Sequence, residues 1–292
     1  MTKSLKIFFL TVLVVFLFSP GVLFSADPAT ERKSGDRIEL TINDVKHAFR
    51  WCPPGTFMMG SPEDEAGRDA NETQHQVTLT RGFYMQETEV TQGMWKSVMG
   101  TVRGTFQGTE RPVRAATWNE CQGYVTKLNA SGVAPTGFQF SLPTEAQWEY
   151  ACRAGTTTTY SFGATINREQ ANFGGSADDR ITGTTDVGFY PANAWGLRDM
   201  HGNVSEFCLD LFGDYPSSAV TDPMGVSEGS CYVTRGGSSG LHDRCVRSAH
   251  RGGLTPLLRC PEVGCRLVLI TSEKETGLLM RSNERDALVV GR

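Results

Sequence analysis

The chain has 292 residues, a formal net charge of -4 at pH 7 and a sequence pI near 5.8. This weakly acidic balance supplies no basic face, so we exclude a nucleic-acid partner. The 32 glycines and the few long periodic segments favour an irregular fold in which turns and ordered loops connect short elements.

The first residues have the pattern of a secretory signal. Two lysines precede an apolar run over residues 7–18, and Ser25 and Ala26 supply small residues for cleavage. The run is shorter than the roughly 20 apolar residues of a membrane span. We predict a signal peptide over residues 1–26 and an exported chain (periplasmic, extracellular or in a secretory lumen). An uncleaved N-terminal anchor is the alternative, and no membrane association is expected beyond the export signal.

Eight cysteines follow the apolar run, and outside the cytosol an even number permits disulfides. No two are spaced as CxxC, so a zinc ribbon is not expected. Buried free thiols are the alternative to disulfides, and spacing alone assigns no pairing. The cysteines are Cys52, Cys121, Cys152, Cys208, Cys231, Cys245, Cys260 and Cys265.

Short strands are predicted from period-2 alternation and flanking turn residues. The first is Arg37–Ile42, within a segment 27–47 that otherwise is a polar linker. Two later segments are expected to form a hairpin that turns at Thr80 and Arg81. Further strands are predicted at residues 49–52, 57–61, 76–79, 82–85, 232–234 and 265–269.

Threonine residues mark the starts of three short helices. Thr91 precedes an apolar-periodic segment, and Thr117 and Thr144 are each followed three residues later by Glu120 or Gln147. This spacing predicts capping boxes, in which the threonine and the later side chain satisfy backbone N–H groups at the helix start. The final residues, 271–292, are interpreted as a loose tail.

Six strings occur in an order that is specific as a set, although each alone is weak. The strings are PPGTFMMGS at 53–61, ETEVTQ at 87–92, LPTEAQWEYACRAGT at 142–156, NAWGLRDMHGNV at 193–204, RGGS at 235–238 and GCRLV at 264–268. Together they resemble the sulfatase-modifying-factor (formylglycine-generating-enzyme-like) family over residues 48–270.

The resemblance implies the fold. We expect an α+β variant of the C-type-lectin-like fold, with small mixed sheets, few short helices and long ordered loops. The family includes enzymes that oxidise a cysteine of a sulfatase peptide to formylglycine, the domain attached to ergothioneine-type sulfoxide synthases and maturation factors of siderophore pathways.

The resemblance also implies structural calcium. In segment 199–206, Asp199 and Glu206 would offer carboxylates, and Gly202 and Val204 would offer carbonyl oxygens, the ligand types that Ca²⁺ prefers. An Asp–Glu pair that caps a turn without metal is the alternative.

A second calcium site is implied with a shorter loop than in the enzymes. Asn172 and the carbonyl of Phe173 match one half, and Asp179 and the carbonyl of Ile181 match the other. A solvated turn at Asp179 is the alternative.

The family's oxidases hold Cu(I) with two cysteines in the loop after Gly-Gly-Ser, because soft thiolates suit this ion. Here Leu241 stands where the first cysteine would be, and Cys245 is the one cysteine of the loop. A two-thiolate copper site is therefore not expected. A mixed site of His242 and Cys245 is the alternative, and Cys231 or Cys260 would restore a thiolate pair only through folding. Cys245 is the candidate catalytic residue if the chain is an oxidase.

Further departures from the family occur at three positions where its members usually carry a particular large aromatic residue. In this chain these positions are Ser239, Phe207 and Cys265. A disulfide found in some of the enzymes is absent, because its positions here are Val125 and Leu267.

No P-loop, dinucleotide fingerprint or nucleophile elbow offers other chemistry, and His47, His75, His201 and His250 are interpreted as structural or exposed. We therefore expect a binding, accessory or maturation module whose loop surface meets a peptide, protein or glycan. The alternative is an oxidase that generates formylglycine.

Overall fold

The path of the chain is given by a computed structural model that describes residues 32–102, 107–174 and 183–272. The predicted signal peptide at 1–26 and most of the predicted tail at 271–292 lie outside these residues. Among them, no helix is long and apolar enough to cross a membrane.

Within the described residues the chain forms three α-helices, one 3-10 helix and short strands. The helices are α1 (Gln92–Met99), α2 (Trp118–Ala130) and α3 (Glu145–Arg153), and the 3-10 helix is Asp243–Val246. The strands are β1 (Arg37–Ile42), β2 (Val45–Cys52), β3 (Gly55–Met59), β4 (His75–Leu79), β5 (Phe83–Gln86), β6 (Phe138–Ser141), β7 (Ser205–Leu211), β8 (Val220–Thr221), β9 (Tyr232–Arg235), β10 (Gly252–Leu254), β11 (Val263–Cys265) and β12 (Val268–Thr271).

The strands form three small sheets. One has the order β1-β2-β5-β12-β6, a second β10-β9-β7-β11 and a third β3-β4-β8. Most neighbours are antiparallel, whereas β11 runs parallel to β7 and β8 runs parallel to β4. The α+β class with mixed sheets is confirmed.

Each helix begins where the sequence predicts. Thr117 Oγ1 accepts the backbone N–H of Glu120, and the Glu120 carboxylate accepts that of Thr117. Thr144 and Gln147 make the same reciprocal pair at α3. Thr91 caps α1 by accepting the N–H of Met94. A cap of this type contributes about 1 kcal/mol, and it depends on residues close in sequence, which is why the pattern predicted it.

The predicted hairpin of β4 and β5 is wrong. Both strands exist, but β4 pairs with β3 and β8, whereas β5 lies between β2 and β12. Every residue of β5 is buried, as the centre of a covered sheet requires, while β4 alternates between buried and more exposed positions. Gly82 lets the connection pass against the Trp51 ring, which a Cβ would strike.

The strand predicted over residues 265–269 is interrupted. Val263–Cys265 belongs to the four-stranded sheet and Val268–Thr271 to the five-stranded sheet, so the chain changes sheets at Arg266 and Leu267. The Arg266 side chain is fully buried, and its guanidinium needs polar partners that a continuous strand would not provide. The break between the two strands brings that guanidinium to the Glu206 carboxylate.

Two main clusters of buried side chains support the sheets. One joins α1 and α2 to the five-stranded sheet around Phe49, Trp95 and Tyr124. The other joins α3 to all three sheets around Trp148 and Met85.

Candidate functional site

The loop after β9 is shaped by two glycines in the left-handed region. Gly236 has φ 88° and Gly237 has φ 68°, which favour glycine over residues that carry a Cβ. A Cβ on Gly237 would collide with the carbonyl of Cys245, so glycine lets the loop pack against the 3-10 helix Asp243–Val246. The loop in which the family's oxidases hold Cu(I) is therefore a tightly folded segment in this chain.

Leu241 occupies a defined place in this loop. Its carbonyl accepts the N–H of Gly174 at 2.6 Å, and its own N–H donates to the carbonyl of Ser238 at 3.1 Å. Its half-buried side chain supplies no metal ligand at the position where the resemblance implies the first copper cysteine.

Cys245 is a half-buried free thiol. Burial raises its pKa, and the charged groups that also act on the thiol are Arg244, Asp69, Arg247 and Asp243. No second cysteine is among these groups in the described part of the chain. His242 is exposed on the same short turn, and no group of three or more His, Cys, Asp or Glu residues suitable for a metal occurs among the described residues.

The remaining thiols lie elsewhere. The Cys121 and Cys265 thiols contact each other inside the hydrophobic core, where both are fully buried. Cys231 lies beside the Ser230 hydroxyl, and Cys260 packs at the edge of the α1–α2 core. Two sulfurs therefore do meet in this protein, but they meet in the core, and no contact among the described residues joins Cys231 or Cys260 to Cys245.

The two predicted calcium segments meet in space. Asn172 and Gly202 form an isolated parallel bridge, and the N–H of Asn203 donates to the Asn172 carbonyl at 2.7 Å. Asp199, Gly202 and Asn203 all have positive φ, so the backbone makes a tight turn here. A Cβ on Gly202 would strike the Asn172 carbonyl. Asp179 and Ile181 lie outside the described residues, and Phe173 is buried.

The two predicted carboxylate ligands differ in whether they have an oxygen free to bind a cation. Asp199 is buried, and its Oδ2 accepts the N–H of Gly188 while Oδ1 has no partner among the described residues. Glu206 has both oxygens engaged, since Oε2 accepts from Trp148 Nε1 at 2.7 Å and both oxygens accept from Arg266. The predicted set therefore fits a cation at Asp199 but not at Glu206 in this arrangement.

Glu89 is a buried carboxylate at this place that sequence reasoning missed. Its Oε1 accepts from Asn203 Nδ2 at 2.9 Å, and its Oε2 is unpartnered among the described residues. Burial, followed by the charge of Asp199, raises the pKa of Glu89 well above its usual value. Nothing in the string at 87–92 signalled that this side chain turns inward.

Asn172 links the two segments. Its Nδ2 donates to the Gly183 carbonyl and to Asn203 Oδ1, each at 3.2 Å, and its Oδ1 is unpartnered among the described residues. The unpartnered oxygens of Glu89, Asp199 and Asn172 are the observation that fits a bound cation, because buried polar atoms in native proteins are otherwise satisfied.

The four histidines interpreted as structural or exposed occupy structural places. His201 Nδ1 lies 2.7 Å from the Val246 carbonyl, and burial lowers the His201 pKa to about 4. His75 packs its ring against Tyr215, and His250 lies 3.7 Å from Asp69. His47 is fully buried.

Solved structures with this architecture define the class of protein. The chain is similar to PvdO from Pseudomonas aeruginosa, with a TM-score of 0.70 and 26% identity over 82% of this chain and 99% of that one. Treponema denticola variable protein 1 has the same fold, with a TM-score of 0.70, 24% identity and coverage of 80% and 98%. The predicted C-type-lectin-like formylglycine-generating-enzyme fold is confirmed.

The sulfatase-modifying factor enzyme 1-like domain matches residues 43–270, and the chain belongs to this family. It is 40% identical over 147 residues to serine/threonine-protein kinase pkn1 of Chlamydia caviae, which covers 49% of this chain and 21% of that protein. It is 32% identical over 178 residues to the formylglycine-generating enzyme of Streptomyces coelicolor, which covers 56% and 54%. The chain thus spans between a fifth and about half of these relatives.

Proposed function

We propose that this protein is an exported, non-copper member of the family that acts as a binding, accessory or maturation module. The proposal depends on one observation. Leu241 stands where the resemblance implies the first copper cysteine, and Cys245 has no second thiol among the groups that act on it in the described residues. One thiolate does not supply the two soft ligands that a digonal Cu(I) site needs.

The partner we propose is a peptide, protein or glycan that binds at the loop surface after β9. Buried ion pairs lie beneath this loop. Arg235 is fully buried and donates to Glu149 at 2.6 Å, and Arg247 donates to Glu72 at 2.7 Å. A loop that is held by contacts of this kind suits recognition, because the entropy cost of ordering it is met during folding.

Calcium is proposed as a structural cation. Asp199 would hold it with its free carboxylate oxygen, and the Gly202 and Val204 carbonyls remain the proposed backbone ligands. The predicted ligand Glu206 would join the set only by giving up bonds to Arg266. For the second site, Asn172 Oδ1 supports the proposal.

The second candidate function, generation of formylglycine, is favoured by the similarity to the Streptomyces coelicolor enzyme. The purified protein, incubated with Cu(I), oxygen and a Cys-x-Pro-x-Arg peptide, distinguishes the two. We expect no mass loss at the peptide cysteine, while the Streptomyces coelicolor enzyme oxidises it in a parallel reaction. Oxidation by this protein that disappears in Cys245→Ser would overturn the proposal.

Copper uptake gives an independent readout. Titration against a Cu(I) chelator is expected to show no high-affinity site that depends on Cys245. A stoichiometric site with a bis-sulfur signature in X-ray absorption would contradict the proposal even without activity.

A further inference from the structure

A cleft of about 560 Å³ lies away from the loop after β9, between α3, β4 and the chain that follows β7. None of its lining residues comes from residues 236–246. The volume lies within the range of small-molecule pockets, about 300–1,000 Å³.

Ordered backbone forms the outer wall of this cleft. β8 pairs with β4 through Val220 and Val77, which ties the segment after β7 to the three-stranded sheet. Gly225 packs against the Asp210 side chain, where a Cβ would lie 2.8 Å from Asp210 Cβ, and Gly213 packs against Val226. These contacts hold the segment after β7 in place as a wall of the cleft.

The walls are apolar and one lip is exposed. Met59, Val220 and Val226 line the cleft, and Met224 lines it while 59% exposed. Methionine is flexible and polarisable, so it adapts to the shape of an apolar group.

Two of the polar residues that line the cleft are Asp210 and Asp214. Asp210 is 4% exposed, and its Oδ2 accepts the N–H of Glu145 at 2.9 Å. No Lys, Arg or His among the described residues forms an ion pair with Asp210. Asp214 lies exposed at the rim.

Arg251, the guanidinium that lines the cleft, is already engaged. It donates to both oxygens of Glu145, at 2.6 and 2.7 Å, and to the carbonyls of Asn71 and Gly213. Its plane stacks on the Tyr215 ring, and the Tyr215 hydroxyl donates to Glu145. Glu145 is thus paired with Arg251 and also with Arg235, at 3.3 Å, whereas Asp210 has no ion-pair partner among the described residues and feels Arg251 only at longer range.

From this geometry we infer that the cleft binds a small organic amine, whose ammonium pairs with Asp210 while its apolar body contacts Met59, Val226 and Met224. An anion would meet the carboxylates of Asp210 and Asp214, neither of which has an ion-pair partner among the described residues, and a neutral ligand would give the Asp210 carboxylate no counter-charge. The charge complementarity selects a cation.

The protonation of Asp210 gives the pairing a pH signature. Burial, followed by the charge of Glu145, raises the pKa of Asp210 to about 7, so the carboxyl is largely neutral below that pH. The charged and titratable groups around it are Glu145, Arg251, Asp214, Tyr215, His75, Cys208 and Arg235. An ammonium stabilises the ionised form, so binding releases a proton when the pH is near 7.

Calorimetry with phenethylammonium and n-butylammonium ions tests the inference on the full exported chain. We expect saturable binding that is roughly tenfold tighter at pH 8 than at pH 6, because a carboxyl with this pKa gains its charge over that interval. At pH 7 the heat should depend on the buffer, which reports the released proton. Phenylacetate and 2-phenylethanol should bind at least tenfold more weakly than phenethylammonium.

Asp210→Asn keeps an oxygen to accept the Glu145 N–H but has no charge, so we expect at least a tenfold loss of affinity at pH 8 and no pH dependence. Asp214→Asn at the rim is the matched control and should change affinity less than threefold. If Asp210→Asn does not fold, carbon-13 NMR of the wild-type carboxyl replaces it, and added amine should lower the Asp210 pKa. Absence of amine binding at 10 mM, equal binding of 2-phenylethanol or an unmoved Asp210 pKa each overturn the inference.

Discussion

The Arg266 guanidinium donates to both carboxylate oxygens of Glu206, with Nη2 2.7 Å from Oε1 and Nε 3.0 Å from each oxygen. The same guanidinium donates to the carbonyls of Gln86, Glu87 and Arg198. One side chain therefore joins β7 to β5 at the point where the chain passes from one sheet to another.

Loss of that guanidinium should destabilise the fold strongly. In Arg266→Met, Glu206 becomes a buried carboxylate with no counter-charge, and the free energy of unfolding should fall by about 3–5 kcal/mol. Urea denaturation at pH 7 measures this. The control is Arg259→Met, which removes an exposed partner of Glu120 and should leave the midpoint within error. Similar midpoint shifts in both variants would show that the Arg266–Glu206 ion pair contributes no more to stability than an exposed ion pair.

Two variants distinguish the stability that a bound calcium ion contributes from the stability that the Glu206–Arg266 ion pair contributes. If Asp199 holds the cation, millimolar CaCl₂ should raise the melting temperature relative to EGTA, because a ligand at 100 times its Kd stabilises by about 2.7 kcal/mol. Asp199→Asn should abolish most of this difference. Glu206→Gln should lower the melting temperature in both solutions but retain the calcium difference, since Arg266 occupies Glu206. Loss of the difference in Glu206→Gln alone would return Glu206 to the ligand set.

Cysteine alkylation should follow burial. Cys231, Cys245 and Cys260 are half-buried and should react with iodoacetamide in the folded protein, whereas the five buried cysteines should react only after denaturation. Burial raises the pKa of Cys152 to about 12 and raises that of Cys245 as well, so even native labelling should be slow at pH 7. Peptide mass spectrometry assigns the sites. Rapid native labelling of Cys152 would contradict the described packing.

Acid should destabilise the protein through His47. Burial lowers the folded pKa of His47 to about 4, below the usual 6.5, so the unfolded chain takes up a proton first as the pH falls. Stability should therefore decrease from about pH 6.5 to pH 4, by up to roughly 3 kcal/mol from this residue.

The variant His47→Leu removes one of the groups that titrate in this interval and should reduce the slope of unfolding free energy against pH, while the buried His201 and His250, whose folded pKa values are also about 4, retain their share. His242→Leu, at an exposed position, is the control and should leave the slope unchanged. An unaltered slope in His47→Leu would assign the acid sensitivity to other groups.

The helix starts, most strand positions and the family membership follow from the sequence. Capping depends on residues three apart, and strand alternation is local, so both are visible without the fold. The expectation that Leu241 stands at the first copper position also comes from the sequence, because Leu241 follows closely after the Gly-Gly-Ser motif. The secondary structure of a segment is thus largely determined by the residues of that segment.

Which strands pair, and which charges meet, was decided by tertiary structure. Alternation at 76–79 and 82–85 predicts two strands but cannot tell that they join different sheets, because pairing is set by β2, β3 and β12 far along the chain. In the same way Glu89 and Glu206 acquire their roles from Asn203 and Arg266. Buried charges are costly unless distant partners satisfy them, and only the folded chain brings those partners within hydrogen-bonding distance.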